Sequence, residues 1–140
     1  MSPMKLKMPS IFILIFSLAF VAHGLGQVQA EKPDYGKILG TWNLEVNAGG
    51  EFYYLVMELK LTEGKLGGGL SELNGMFKDS PLLETAFDGQ ILKYGVKIPT
   101  PPDGTERLTK AEMKLIDNKL EGTITIAEME ITVPVTGIKK

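Results

Sequence analysis

Apolar and polar side chains alternate through most of the chain from residue 40 onward, and the alternation arrives in paired blocks. Two of these blocks, 58–70 and 112–124, begin 54 residues apart and follow one recipe. Each is an alternating strand that enters a turn pair, Glu63-Gly64 or Asp117-Asn118, and leaves through Lys-Leu-x-Gly-x-Leu/Ile. Side chains of a strand point to opposite faces in turn, so this pattern predicts a β-hairpin with one face buried.

Register tests the prediction, because directly opposed residues share a face and a slip of one residue inverts it. A two-residue loop at Glu63-Gly64 opposes Leu61 with Leu66, Leu59 with Gly68 and Met57 with Leu70. The loop at Asp117-Asn118 opposes Leu115 with Leu120, Met113 with Gly122 and Ala111 with Ile124. A last hairpin turning at Ala127-Glu128 opposes Ile126 with Met129, Ile124 with Ile131, Gly122 with Val133 and Leu120 with Val135. A four-residue loop, 47–50, opposes Leu44 with Tyr53 and Trp42 with Leu55, and a tight turn at Asp88-Gly89 opposes Thr85 with Leu92 and Leu83 with Tyr94.

Eight strands follow, at 40–47, 51–62, 65–72, 82–87, 90–98, 105–116, 119–126 and 129–138, with no helical periodicity between them. Eight strands in meander order with one apolar face bury that face and lose their edges by curling into an antiparallel up-and-down barrel. A two-sheet sandwich is the alternative. The expected lining on the first strands is Trp42, Leu44, Tyr53, Leu55, Met57, Leu59 and Leu70. On the later strands it is Leu92, Tyr94, Val96, Met113, Ile124, Met129, Ile131 and Val133. An eight-stranded interior is filled by side chains or holds one small ligand.

The first 30 residues stand apart from this pattern. Lys5 and Lys7 precede an apolar run at 11–22, and Val28-Gln29-Ala30 follows, the layout of a signal peptide cleaved after Ala30. This run of twelve residues falls short of the ~20 that span a bilayer as a helix. The expectation is therefore a single domain at 31–140, periplasmic or secreted, with no stable membrane anchor after cleavage.

Composition narrows the chemistry. The chain has no cysteine, and its one histidine, His23, lies in the signal segment, so the mature domain offers no ordinary metal cluster, thiol nucleophile, Ser/His/Asp set or histidine-ligated haem. No metal and no cofactor are expected. Without the signal segment, 13 basic side chains face 17 acidic ones, a balance that disfavours nucleic acid as a partner. The carboxylates fall on predicted wet faces or in turns, and no strand places two inward, so no acid/base pair is read and no enzyme is expected.

Gly40-Thr41-Trp42, opening the first strand, resembles the Gly-x-Trp motif of the lipocalin and calycin superfamily. The chain is similar to small exported bacterial lipocalin-like modules, although the superfamily's Thr-Asp-Tyr block is absent. The resemblance implies that Trp42 packs across the closed end beneath a basic side chain after the last strand, here Lys139 or Lys140 in place of the usual arginine.

Loops of such a barrel alternate between its ends. The turns at 63–64, 88–89 and 117–118 share the Trp42 end, while 47–50, 73–81, 99–104 and 127–128 share the other. The longer loops predict the mouth, where Met76 and Phe77 are large apolar residues in an otherwise polar stretch. The expected ligand-binding residues are Tyr53, Leu55, Met57, Met76, Phe77, Tyr94, Met113 and Met129, with Gly40, Trp42 and Lys139 structural at the closed end. The functional expectation is a non-enzymatic binding protein for a small apolar or amphipathic molecule. The alternative is a filled barrel serving as a protein-interaction module for a periplasmic partner through Phe52, Tyr54 and the mouth loops.

Overall fold

A computed structural model describes residues Pro33–Lys140, and the segment read as an export signal lies outside them. The alternating blocks form nine strands: β1 Gly40–Ala48, β2 Glu51–Thr62, β3 Lys65–Glu72, β4 Ser80–Pro81, β5 Leu83–Phe87, β6 Ile91–Thr100, β7 Thr105–Ile116, β8 Lys119–Ile126 and β9 Ile131–Lys139. They pair antiparallel in one sheet, in the order β4-β3-β2-β1-β9-β8-β7-β6-β5. The sheet curls into a nearly closed barrel, and the sandwich alternative does not apply. Nine strands replace the expected eight because Ser80 and Pro81, expected in the loop at 73–81, form a short edge strand just ahead of the one expected at 82–87. Ser80 and Pro81 pair with β3, the Leu82 N–H donates to the Gly68 carbonyl at 3.0 Å, and from Leu83 the chain pairs with β6. Proline suits this position because it has no N–H to give a ladder.

The two repeated hairpins take the expected register, with Leu59 opposite Gly68 and Met113 opposite Gly122. The structure also gives the repeated glycine its reason. A Cβ at Gly68 would fall on the Glu58 carbonyl oxygen, and one at Gly122 on the Glu112 carbonyl oxygen and the Met113 Cα. In both hairpins the neighbouring backbone crosses where a side chain would stand, which is the close approach that a sharply bent strand requires.

Three other registers differ from expectation. The first turn is only Gly49-Gly50, both at positive φ (+68° and +101°), so Ala48 opposes Glu51, Leu44 opposes Leu55 and Trp42 opposes Met57. The loop expected at 47–50 is therefore tight. The last hairpin needs four residues, 127–130, because a 3-10 turn ends at Glu130 in the left-handed region (φ 54°), and Leu120 then opposes Gly137. Both shifts are by two residues, so the inward face survives. At β5 the phase itself changes. Glu84 at φ 49° makes a bulge, Phe87 rather than Thr85 opposes Leu92, and Leu83 turns to the outer face opposite Gly95.

The core is continuous from Trp42, Met57, Leu59 and Leu70 through Leu92, Met113 and Leu120, each at most 2% exposed. Ile38, Val46, Leu82, Phe87, Ile98, Leu120 and Val135 also belong to it, beyond the expected lining. Ile131, expected inside, lines the interior at the open end and is 38% exposed beside the last turn.

Candidate functional site

The Trp42 end is sealed by the residues that precede β1. Asp34 caps a single 3-10 turn, Tyr35–Lys37, by accepting the Gly36 N–H. The turn sets the next residue, Ile38, fully inside, where its carbonyl accepts the Trp42 indole N–H at 2.8 Å. Tyr35 closes on Phe87 with ring centroids 6.5 Å apart. Lys139, paired with Trp42 across β1 and β9, holds its ammonium 5.8 Å from the indole centroid and donates to the Lys37 carbonyl at 3.5 Å. The buried indole thus has both its polar atom and its face in use.

The opposite end is hollow. Val46, Leu55, Ile98, Ile124 and Val133 leave a space of about 310 Å³ above the packed core. Its rim comes from Ala48, Glu51 and Tyr53 at the first turn, from Met76 and Phe77 after β3, from Pro101 and Pro102 after β6, and from Met129 in the last turn. Met76 and Phe77 are brought over it by a folded-back loop. The Gly75 N–H bonds the Glu72 carbonyl, the Met76 N–H bonds the Glu72 side-chain Oε1, and the Phe77 carbonyl accepts the Glu72 N–H, each at 3.0 Å. Volumes of a few hundred Å³ lined by apolar side chains with few polar groups are characteristic of small-molecule sites.

Of the residues expected to bind a ligand, Tyr53, Leu55, Met76, Phe77 and Met129 line this space. Met57, Tyr94 and Met113 do not. Met57 and Met113 are completely buried, and Tyr94 is 3% exposed, all within the packed core. The Tyr94 hydroxyl finds no hydrogen-bond partner among the described residues, and burial pushes its pKa well above the ordinary phenol value. Gly40, Trp42 and Lys139 stand together at the sealed end, with a Cβ at Gly40 only 3.3 Å from the Lys139 stem.

The charged residues at this end were not anticipated. Glu72 is only 6% exposed and stands on the inner face of β3, two residues beyond Leu70 and opposite Leu55. Together with Glu51 it puts two carboxylates on the cavity wall, one from each of two neighbouring strands, an arrangement that a search within single strands overlooks. Tyr53 stands by both. Its hydroxyl donates to Glu51 Oε2 at 2.9 Å, and its pKa is raised first by that bond, with burial and the charges of Glu51 and Glu72 adding to it. Arg107 fastens the rim. Its guanidinium takes Asp103 in a two-point bond (3.0 Å each), donates to Thr100 Oγ1 at 2.7 Å and lies 3.5 Å from Glu128, joining the β6–β7 loop to the last turn. The Arg107 bond holds the Asp103 carboxyl well below the usual carboxylate range.

A larger hollow of about 880 Å³ lies against β5–β8 outside the barrel, but its walls carry Lys93, Lys97, Lys110, Glu84 and Glu112, with Lys93 and Glu112 paired at 3.4 Å. Solvated charge of that kind gives an apolar ligand little reason to leave water. Among the described residues no group of histidine, cysteine or acidic side chains is placed to hold a metal ion.

Fold and site together define a β-barrel sealed at one end and hollow at the other. Comparison with family models, with curated proteins and with solved structures finds no match.

Proposed function

We propose that this chain is an exported, lipocalin-like binding protein that takes a small apolar or amphipathic molecule into the cavity at the open end, without catalysing a reaction on it. The observation that carries the reading is the contrast within one interior: a packed floor of completely buried side chains, and above it about 310 Å³ lined by aliphatic, aromatic and methionine side chains. Burial of apolar surface at about 25 cal/mol per Å² is the force such a wall offers. The lipocalin resemblance is supported by the single meander order and by Lys139 standing over Trp42 beside Gly40. Export rests on the signal-like segment, and among the described residues no helix is long and apolar enough to cross a membrane.

The test is fluorescence of N-phenyl-1-naphthylamine, a neutral apolar probe, together with native mass spectrometry of the purified protein. Saturable enhancement is expected, and Ala48→Trp, which fills the cavity from the rim, should abolish it. No enhancement and an empty barrel in the mass spectrum overturn the reading.

A second reading has its own observation. Phe52 and Tyr54 on the outer face of β2 are 49% and 47% exposed, and Leu73, whose N–H bonds the Tyr54 carbonyl, is 68% exposed beside them. Exposed apolar groups at neighbouring positions of one face favour a protein-interaction module. Replacing Phe52 and Tyr54 with serine should then abolish partner capture and leave probe binding intact.

A further inference from the structure

The cavity is apolar, but its charge is one-sided. Its lining contains Glu51 and Glu72 and, among the described residues, no lysine, arginine or histidine. The cation nearest in the fold's connections, Arg107, already engages Asp103 and Glu128 and reaches the wall only through Thr100. The neutral polar groups are also committed. Thr100 Oγ1 donates to the Thr105 carbonyl, Thr109 Oγ1 donates to the Val96 carbonyl, and the Tyr53 hydroxyl donates to Glu51. One strong acceptor is left over. Glu72 Oε1 receives the Met76 N–H, no hydrogen bond reaches Oε2 among the described residues, and Oε2 is not one of the fully enclosed atoms, so this 6%-exposed residue of the cavity lining keeps one oxygen accessible.

A carboxylate oxygen facing a largely apolar space is poorly solvated, and a ligand that brings a donor or a positive charge to it is favoured. A ligand bringing a carboxylate would meet two like charges and no counter-ion. Tyr53 and Phe77, on the same wall, offer ring faces to a cation as well.

We propose that the cavity selects amphiphiles whose polar end is a cation, an alkyl- or aryl-ammonium group held against Glu72 Oε2, and discriminates against the fatty carboxylate of the same chain length. This rests on the cavity being the binding site, and adds the sign of the ligand's charge.

The experiment uses the full chain, N-phenyl-1-naphthylamine as reporter, and dodecylamine, dodecanol and laurate as competitors that share one alkyl chain. Dodecylamine should displace the reporter at concentrations about tenfold or more below those needed for laurate, with dodecanol between them, the size expected of one charge-assisted hydrogen bond. Glu72→Gln keeps an oxygen for the Met76 N–H and should bring dodecylamine down to the level of dodecanol, each competitor being read relative to the variant's own affinity for the reporter. Glu51→Gln, at the exposed start of β2, should lower the preference about two- to fivefold, and it decides the matter if Glu72→Gln does not fold.

Laurate matching dodecylamine in the wild type, or a preference unchanged in these variants, overturns the charge assignment and leaves the binding function standing. Failure of both the reporter and dodecanol to bind the wild type overturns the binding function, and this inference with it.

Discussion

The two ends of the barrel are made from the same inward-facing rows of side chains, yet one is solid and the other is not. At the sealed end a segment outside the strands supplies what the strands lack: Ile38 enters the interior, Tyr35 covers Phe87, and Lys139 covers Trp42. At the open end the returning segments arch over the space. Met76 remains 46% exposed, the loop after β6 presents prolines, and Arg107 ties the rim to itself rather than reaching inward. Their polar atoms differ in the same way. The indole N–H of Trp42 is satisfied inside the protein, whereas one Glu72 oxygen has no donor among the described residues. A barrel wall therefore does not decide by itself whether its interior holds a ligand; the non-strand segments at each end do.

The largest expected effect attacks this contrast directly. Trp42→Ala removes a completely buried indole and orphans the Ile38 carbonyl, so urea unfolding should report a loss of about 4 kcal/mol. Met76→Ala, at the rim, should cost under about 1 kcal/mol and weaken naphthylamine binding instead. If both substitutions destabilise equally, Met76 is part of the core and the two ends do not differ.

The bend that lets the sealed half close is tested by its glycines. Gly122→Ala sets a Cβ against the backbone of β7, where no side chain can move aside, and should lower stability by about 3 kcal/mol in the same assay. Gly67→Ala, next to the equivalent bend in the first repeat, meets nothing within 4 Å and should be neutral or slightly stabilising. Equal losses at the two positions would mean that strand flexibility, not close backbone approach, fixes the glycines.

What could be read beforehand follows from this division. Alternation specified the inward face so firmly that two registers slipped by two residues without moving a residue to the other side. The Glu84 bulge escaped because nothing in an alternating strand marks where one extra residue enters, and it turned Leu83 outward. The plug escaped because Ile38 follows a one-turn element in a segment too short for any period to reveal it. Of the site, the rim residues Met76 and Phe77 were legible as large apolar groups in a loop, and Met129 as an inward position of the last strand. Glu72 was not, because a carboxylate ending a strand is ordinarily solvated, and only the loop that folds back over it makes it buried.

The smallest effect probes the boundary between floor and cavity, where Tyr94 opposes Ala111, and Ala111 in turn opposes Ile124 of the cavity wall. The buried Tyr94 hydroxyl has no partner among the described residues, so it contributes desolvation and nothing in return. Tyr94→Phe keeps the ring and removes that penalty, and should raise stability by about 1 kcal/mol while leaving naphthylamine binding unchanged. A substitution that instead weakens binding would mean that this hydroxyl reaches the ligand, which moves the cavity floor one layer deeper and returns Tyr94 to the binding residues.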